Sequence, residues 1–65
     1  MMYRIVCYKR DGSVLYALET TNPDMAEDHY FGADRNPEIV EVVWKLDRYD
    51  GKGMQEIKRR FTKHH

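Results

Sequence analysis

One cysteine, two prolines, four glycines and no net charge leave this 65-residue chain without several familiar devices. The lone Cys7 excludes an internal disulfide, the usual staple of small secreted domains, and points to an intracellular, cytoplasmic protein. Eleven basic residues cancel eleven acidic ones, which excludes a strongly charged tail or a uniformly basic coat for nucleic acid. The longest stretch free of charged side chains, Gly12 to Leu18, is seven residues, against the roughly 20 needed to span a bilayer as a helix. Met1 to Arg10 alternates apolar and polar residues, so it reads as folded structure and not as a signal peptide.

Motifs of chemistry are missing too. There is no CxxC, no HxxxH and no Asp-rich calcium loop, so no metal site or cofactor is expected. Asp24 and Asp28 lie one helical turn apart, a spacing that acidic helices show by chance. The adjacent His64 and His65 fit a chain end or a tag as well as a weak metal site. Gly51-Lys52-Gly53 lacks the length of a phosphate-binding loop and reads as a turn. Catalysis needs an activated nucleophile with a base in reach. Cys7 falls on an apolar strand face and His29 in a helix packed on a sheet, so neither is assigned a catalytic role. A core of this size has little room for an enclosed site of roughly 300 Å3 or more, and the chain is read as a non-enzyme.

What is present begins with two hairpin signals. Tyr3–Arg10 and Ser13–Thr21 are rich in β-branched and aromatic residues and flank Asp11-Gly12, the dipeptide of a tight two-residue turn. A two-residue loop sets Tyr8 against Leu15, Cys7 against Tyr16, Ile5 against Leu18 and Arg4 against Glu19. Tyr3, Ile5, Cys7, Val14, Tyr16 and Leu18 then form the core face. Arg4, Val6, Tyr8, Leu15, Ala17 and Glu19 form the other, with Tyr8, Val6 and Leu15 as an exposed apolar patch.

Asn22-Pro23-Asp24 has the chemistry of a helix start: a capping side chain, a proline whose missing N–H does no harm, and an acid in the first turn. A helix is expected over Pro23–Phe31 with Gly32 as its stop. Met25 or Ala26, His29, and Tyr30 or Phe31 would pack on the sheet. Gly32–Pro37 reads as a loop. From Ile39 to Tyr49 apolar residues recur at period two, which predicts a strand. Asp50-Gly51 repeats the turn signal and would set Val40 against Phe61, Trp44 against Ile57, Glu41 against Arg60 and Lys45 against Glu56. A bulge at Gly53 would shift that register by one. Met54–Lys63 also fits helical spacing, and a C-terminal helix is the competing reading. The expected fold is a small single α+β domain over residues 1–65, two antiparallel hairpins joined by a short helix (ββαββ).

Charge along the chain is uneven. Residues 1–18 carry +2, residues 19–50 carry −6 and residues 51–65 carry +4. Mutual neutralisation across paired strands accounts for part of this. The acidic helix region, Asp24, Glu27, Asp28 and Asp34, with Tyr8 and Tyr30 as aromatic anchors, is the candidate surface for a basic protein partner. The alternative is nucleic-acid binding by Lys52, Lys58, Arg59, Arg60 and Lys63, a strip with Tyr49 and Phe61 near enough to stack on bases. The leading expectation is an inhibitor or adaptor. In size and composition it resembles small phage and mobile-element products that block host enzymes, a likeness that carries no motif. Self-association through an exposed edge strand or a bare apolar face is a further expectation, giving a homodimer.

Overall fold

The computed structural model describes all 65 residues. Strands β1 (Met2–Tyr8) and β2 (Val14–Thr20) form the first hairpin, followed by helix α1 (Pro23–Phe31), a 3-10 turn (Gly32–Arg35), and strands β3 (Glu41–Asp47) and β4 (Met54–Phe61). The four strands form one antiparallel sheet in the order β2-β1-β3-β4. Because β2 and β3 both pair with β1 in opposite sense, they run parallel to each other, and the chain must cross β1 to pass between them. A connection of that kind needs a dozen or more residues, commonly a helix, and α1 with its 3-10 turn supplies it. No helix is long and apolar enough to cross a membrane.

The helix occupies its expected span because its ends are satisfied locally. The Asn22 side chain accepts hydrogen bonds from the backbone N–H of Asp24 (2.9 Å) and Met25 (3.3 Å), two of the donors that a helix start leaves free. Ala26 and Tyr30, four residues apart and therefore on one face, are buried against the sheet. Met25 and Phe31 point away from it, 45% and 55% exposed. Gly32–Pro37 is not all loop: a 3-10 turn continues the helix and buries Ala33.

The core holds Ile5 and Cys7 from β1, Val42 and Trp44 from β3, Ile39, and the buried residues of α1 and the 3-10 turn. The Tyr30 and Trp44 rings lie 5.4 Å apart, with Tyr3 edge-on to Trp44 at 6.3 Å. Only 12 of 65 residues are buried, so the far face of the sheet is covered by its own long side chains. Val6 and Val43 sit paired in the middle of that face and are nonetheless buried, 5% and 0% exposed. Around them run ion pairs: Arg4 with Glu19, and Arg59 with Glu41 and Glu56.

Both hairpins depart from the two-residue expectation. In the first, the Gly12 N–H donates to the Lys9 carbonyl and Gly12 has φ +88°, a turn centred on Arg10-Asp11 followed by a glycine in the left-handed region. Asp11 accepts from the Ser13 backbone N–H (2.9 Å) and hydroxyl (2.6 Å). Tyr8 therefore pairs with Val14 and not with Leu15, and Leu15 becomes a bulge that restores the expected partners from Cys7–Tyr16 onward. Leu15 turns to the core and Val14 to solvent, the reverse of the expected faces.

The second connection is six residues long, Arg48 to Gly53, with left-handed backbone at Tyr49, Gly51 and Gly53. Met54–Phe61 is a strand, so the helical alternative is overturned. Lys45 faces Glu56 as expected. Beyond it a bulge at Ile57, not at Gly53, moves the register by one, pairing Trp44 with Lys58, Val42 with Arg60 and Glu41 with Phe61. The expected pairs Trp44–Ile57, Glu41–Arg60 and Val40–Phe61 do not form.

Candidate binding surfaces

The Ile57 bulge determines where the basic residues of β4 go. Opposite Val42, Arg60 lies on the helix side of the sheet, where its guanidinium donates to the carbonyls of Tyr30 (2.7 Å) and Phe31 (3.1 Å) and to Asp34 Oδ2 (3.2 Å). A helix C-terminus carries unpaired carbonyls and partial negative charge, and a cation suits it. The guanidinium also lies 5.3 Å from the centre of the Tyr30 ring. Asp34 Oδ1 accepts from the Lys63 backbone N–H (2.8 Å), and the Asp34 carbonyl lies 2.8 Å from His64 Nε2. The Lys63 N–H and the Arg60 guanidinium hold the Asp34 carboxyl below its ordinary value. Asp34 and Arg60 thus form a latch joining the 3-10 turn, β4 and the chain end, and neither is free for a partner.

The other expected cations are dispersed. Arg59, on the opposite face, donates to Glu56 (2.8 Å) and Glu41 (3.3 Å). Lys58 lies over the Trp44 ring, its Nζ 5.3 Å from the centre. Lys52 sits in the β3–β4 connection and Lys63 beyond the end of β4. The structure does not bring Lys52, Lys58, Arg59, Arg60 and Lys63 together as one strip.

On α1, Asp24, Glu27 and Asp28 are exposed on the side away from the sheet. Asp24 and Glu27 make no ion pair, and Asp28 meets only Arg35 at 3.9 Å, with both side chains largely in solvent. These three acids, with Phe31 and Arg35, border an open depression of about 360 Å3. Tyr30, expected as an anchor, is 3% exposed and belongs to the core; its neighbour Phe31 is the aromatic at the surface.

A comparison with protein-family models, curated proteins and solved structures finds no match to this chain. Function has to be read from the surfaces themselves.

One surface escaped the sequence. Tyr8 faces Glu41 across β1–β3, and Glu41 faces Phe61 across β3–β4, so the two rings stand in one cross-strand row on the face away from α1. Lys9 and Arg10 flank them in the β1–β2 turn, and His65 stacks on Phe61 with ring centres 4.2 Å apart. Together with Arg59 they border a depression of about 410 Å3. The expected patch of Tyr8, Val6 and Leu15 does not exist there, since Val6 is covered and Leu15 lies on the other face. Tyr8 and Phe61 are far apart in sequence, and only the sheet order makes them neighbours.

The remaining titratable cluster is a core feature. Cys7 is fully buried, which pushes its thiol up, and burial beside Cys7 pushes the Tyr16 phenol up to about 12. Tyr16 Oη lies 3.4 Å from His29 Nδ1, with the two rings edge to face. No group of three His, Cys, Asp or Glu residues is placed to hold a metal ion. His64 and His65 are both engaged, His64 with Asp34 and His65 with Phe61.

Proposed function

We propose that the protein is a binding module, an inhibitor or adaptor rather than an enzyme, that docks a basic protein surface on the outward face of α1. The supporting observation is that Asp24 and Glu27 make no ion pair and border one depression with the exposed ring of Phe31. Every acid of β2, β3 and β4 that joins an ion pair meets its arginine at close range: Glu19 with Arg4, Glu41 and Glu56 with Arg59. On α1, Asp24 and Glu27 have no such partner, and Asp28 meets Arg35 only at 3.9 Å. Acids around an exposed ring attract a basic partner from a distance and give it an apolar anchor on contact. A reducing, cytoplasmic setting suits a chain whose one thiol is buried in the core.

The test is capture from lysate on immobilised protein, comparing wild type with the triple variant Asp24→Asn, Glu27→Gln, Asp28→Asn and with Phe31→Ala. A partner held by wild type, lost by both variants and weakened by salt is the expected result. Capture that persists unchanged in both variants removes α1 from the interface.

A further inference from the structure

The depression beside Tyr8 and Phe61 differs in sign and shape from the one on α1. Its border carries Lys9, Arg10 and Arg59 against Glu41, and Lys9 and Arg10 also border an adjoining depression with Asp11 and Glu38. Glu41 is already engaged by Arg59 at 3.3 Å, while Lys9 and Arg10 make no ion pair. Arg10 donates to the His64 carbonyl, which holds the side chain over the depression without cancelling its charge. Phe61 is 55% exposed on the edge strand β4, and His65 lies on it at an interplanar angle of 30°. The ring face thus already accepts a flat aromatic partner. Tyr8, two strand spacings away, stands roughly 10 Å across the sheet.

One exposed ring, Phe61, and one half-buried ring, Tyr8, in a single row on a sheet, with Lys9 and Arg10 outside any ion pair at one end, match the chemistry of an unpaired nucleotide. The rings stack on the base and the cations meet the phosphates. Duplex nucleic acid keeps its bases inside the stack and offers no face to such rings. We infer that this depression is a binding site for single-stranded nucleic acid, with Tyr8 and Phe61 as the stacking residues and Lys9 and Arg10 as the phosphate contacts. It is separate from the acidic face of α1 and from the dispersed cations of the β3–β4 hairpin.

The experiment is fluorescence anisotropy of labelled oligo-dT and oligo-rU of ten nucleotides, and of a ten-base-pair duplex, across a salt titration starting at low salt. The expected result is binding of single strands in preference to duplex, the two single-stranded arms telling DNA from RNA. The variant Tyr8→Leu/Phe61→Leu, which keeps apolar bulk, weakens binding about tenfold or more. The variant Lys9→Gln/Arg10→Gln lowers the slope of log affinity against log salt by about 1.4, at about 0.7 per phosphate contact. Phe61 and Arg10 are exposed while Tyr8 and Lys9 are half-buried, and circular dichroism checks that the variants fold. No binding of either single strand at low salt, equal affinity for the duplex, or affinity unchanged in the leucine variant overturns the site.

Discussion

Two hairpins of similar outline do different work in this molecule. Each is announced by Asp-Gly, each carries one bulge in its second strand, and each sends its first strand to the middle of the sheet. In the first hairpin the bulged residue is Leu15, which turns into the core. In the second it is Ile57, which stays 39% exposed, and the consequence falls on its successors: Arg60 goes under the helix and Arg59 to the open face. One extra residue thus decides whether an arginine serves the fold or the surface. Adjacent residues of the same type acquire opposite roles because strand side chains alternate between faces.

The sharpest way to break this comparison is to truncate the two arginines separately. Arg60→Ala leaves the Tyr30 and Phe31 carbonyls and Asp34 without their cation, which costs about 2–3 kcal/mol for charge-assisted hydrogen bonds at a partly buried site. For a domain of this size that corresponds to a fall of about 10–20 °C in Tm. Arg59→Ala removes only exposed, solvent-screened ion pairs and costs much less. Their side chains are 24% and 48% exposed, respectively. Thermal melts followed by circular dichroism measure the gap, and equal losses would show that the latch adds nothing beyond a surface pair.

The bulged residues provide a smaller contrast. Leu15→Ala withdraws packing from the core at about 1–2 kcal/mol, less than a fully buried leucine because Leu15 is only half-buried. Ile57→Ala stays within about 0.5 kcal/mol, as for an exposed site. Urea denaturation of the two variants compares them directly. A loss at Ile57 matching that at Leu15 would mean that the second bulge is packed as firmly as the first.

Acid treatment gives the last contrast. Hydrogen bonds to Asp34 and Asp11, and the Arg59 contact to Glu56, hold these three carboxyls below their ordinary values. A carboxyl that is more acidic in the folded state stabilises it above the unfolded value, near pH 4, and that contribution is lost as pH falls through the folded value. Melting temperature is therefore expected to fall on acidification below about pH 4. Asp34→Asn melts lower than wild type at pH 7, and the difference narrows towards pH 2. A difference that stays constant with pH would remove the charge on Asp34 as the cause.

Much of the layout was legible because the signals were local. The Asn22 cap, Pro23 and Gly32 bracket α1 with no help from the rest of the chain, and the period-two run from Val40 to Leu46 marks β3. The Arg4–Glu19 and Lys45–Glu56 pairs were recoverable because each lies between its turn and any disturbance, or beyond a bulge that restores the count. The pairs that failed, Tyr8–Leu15 and Trp44–Ile57, fail at the bulges, where backbone geometry and not residue type sets the partner. Tyr30 and Phe31 could not be told apart by composition. They are neighbours on a helix, and only the direction from which the sheet approaches buries one and exposes the other.

Sequence alone therefore determined the first hairpin, α1, β3, the small core and the lack of a disulfide, since capping, alternation and cysteine count act over a few residues, while it left Met54–Lys63 open between strand and helix. Tertiary structure decided what the charges and rings are for. It took Asp34 and Arg60 into a latch, paired Arg59 with Glu41 and Glu56, and left Asp24 and Glu27 free. It also set Tyr8 and Phe61 in one row across β3. Those outcomes depend on strand order and on two bulges, which bring together residues that share no local signal.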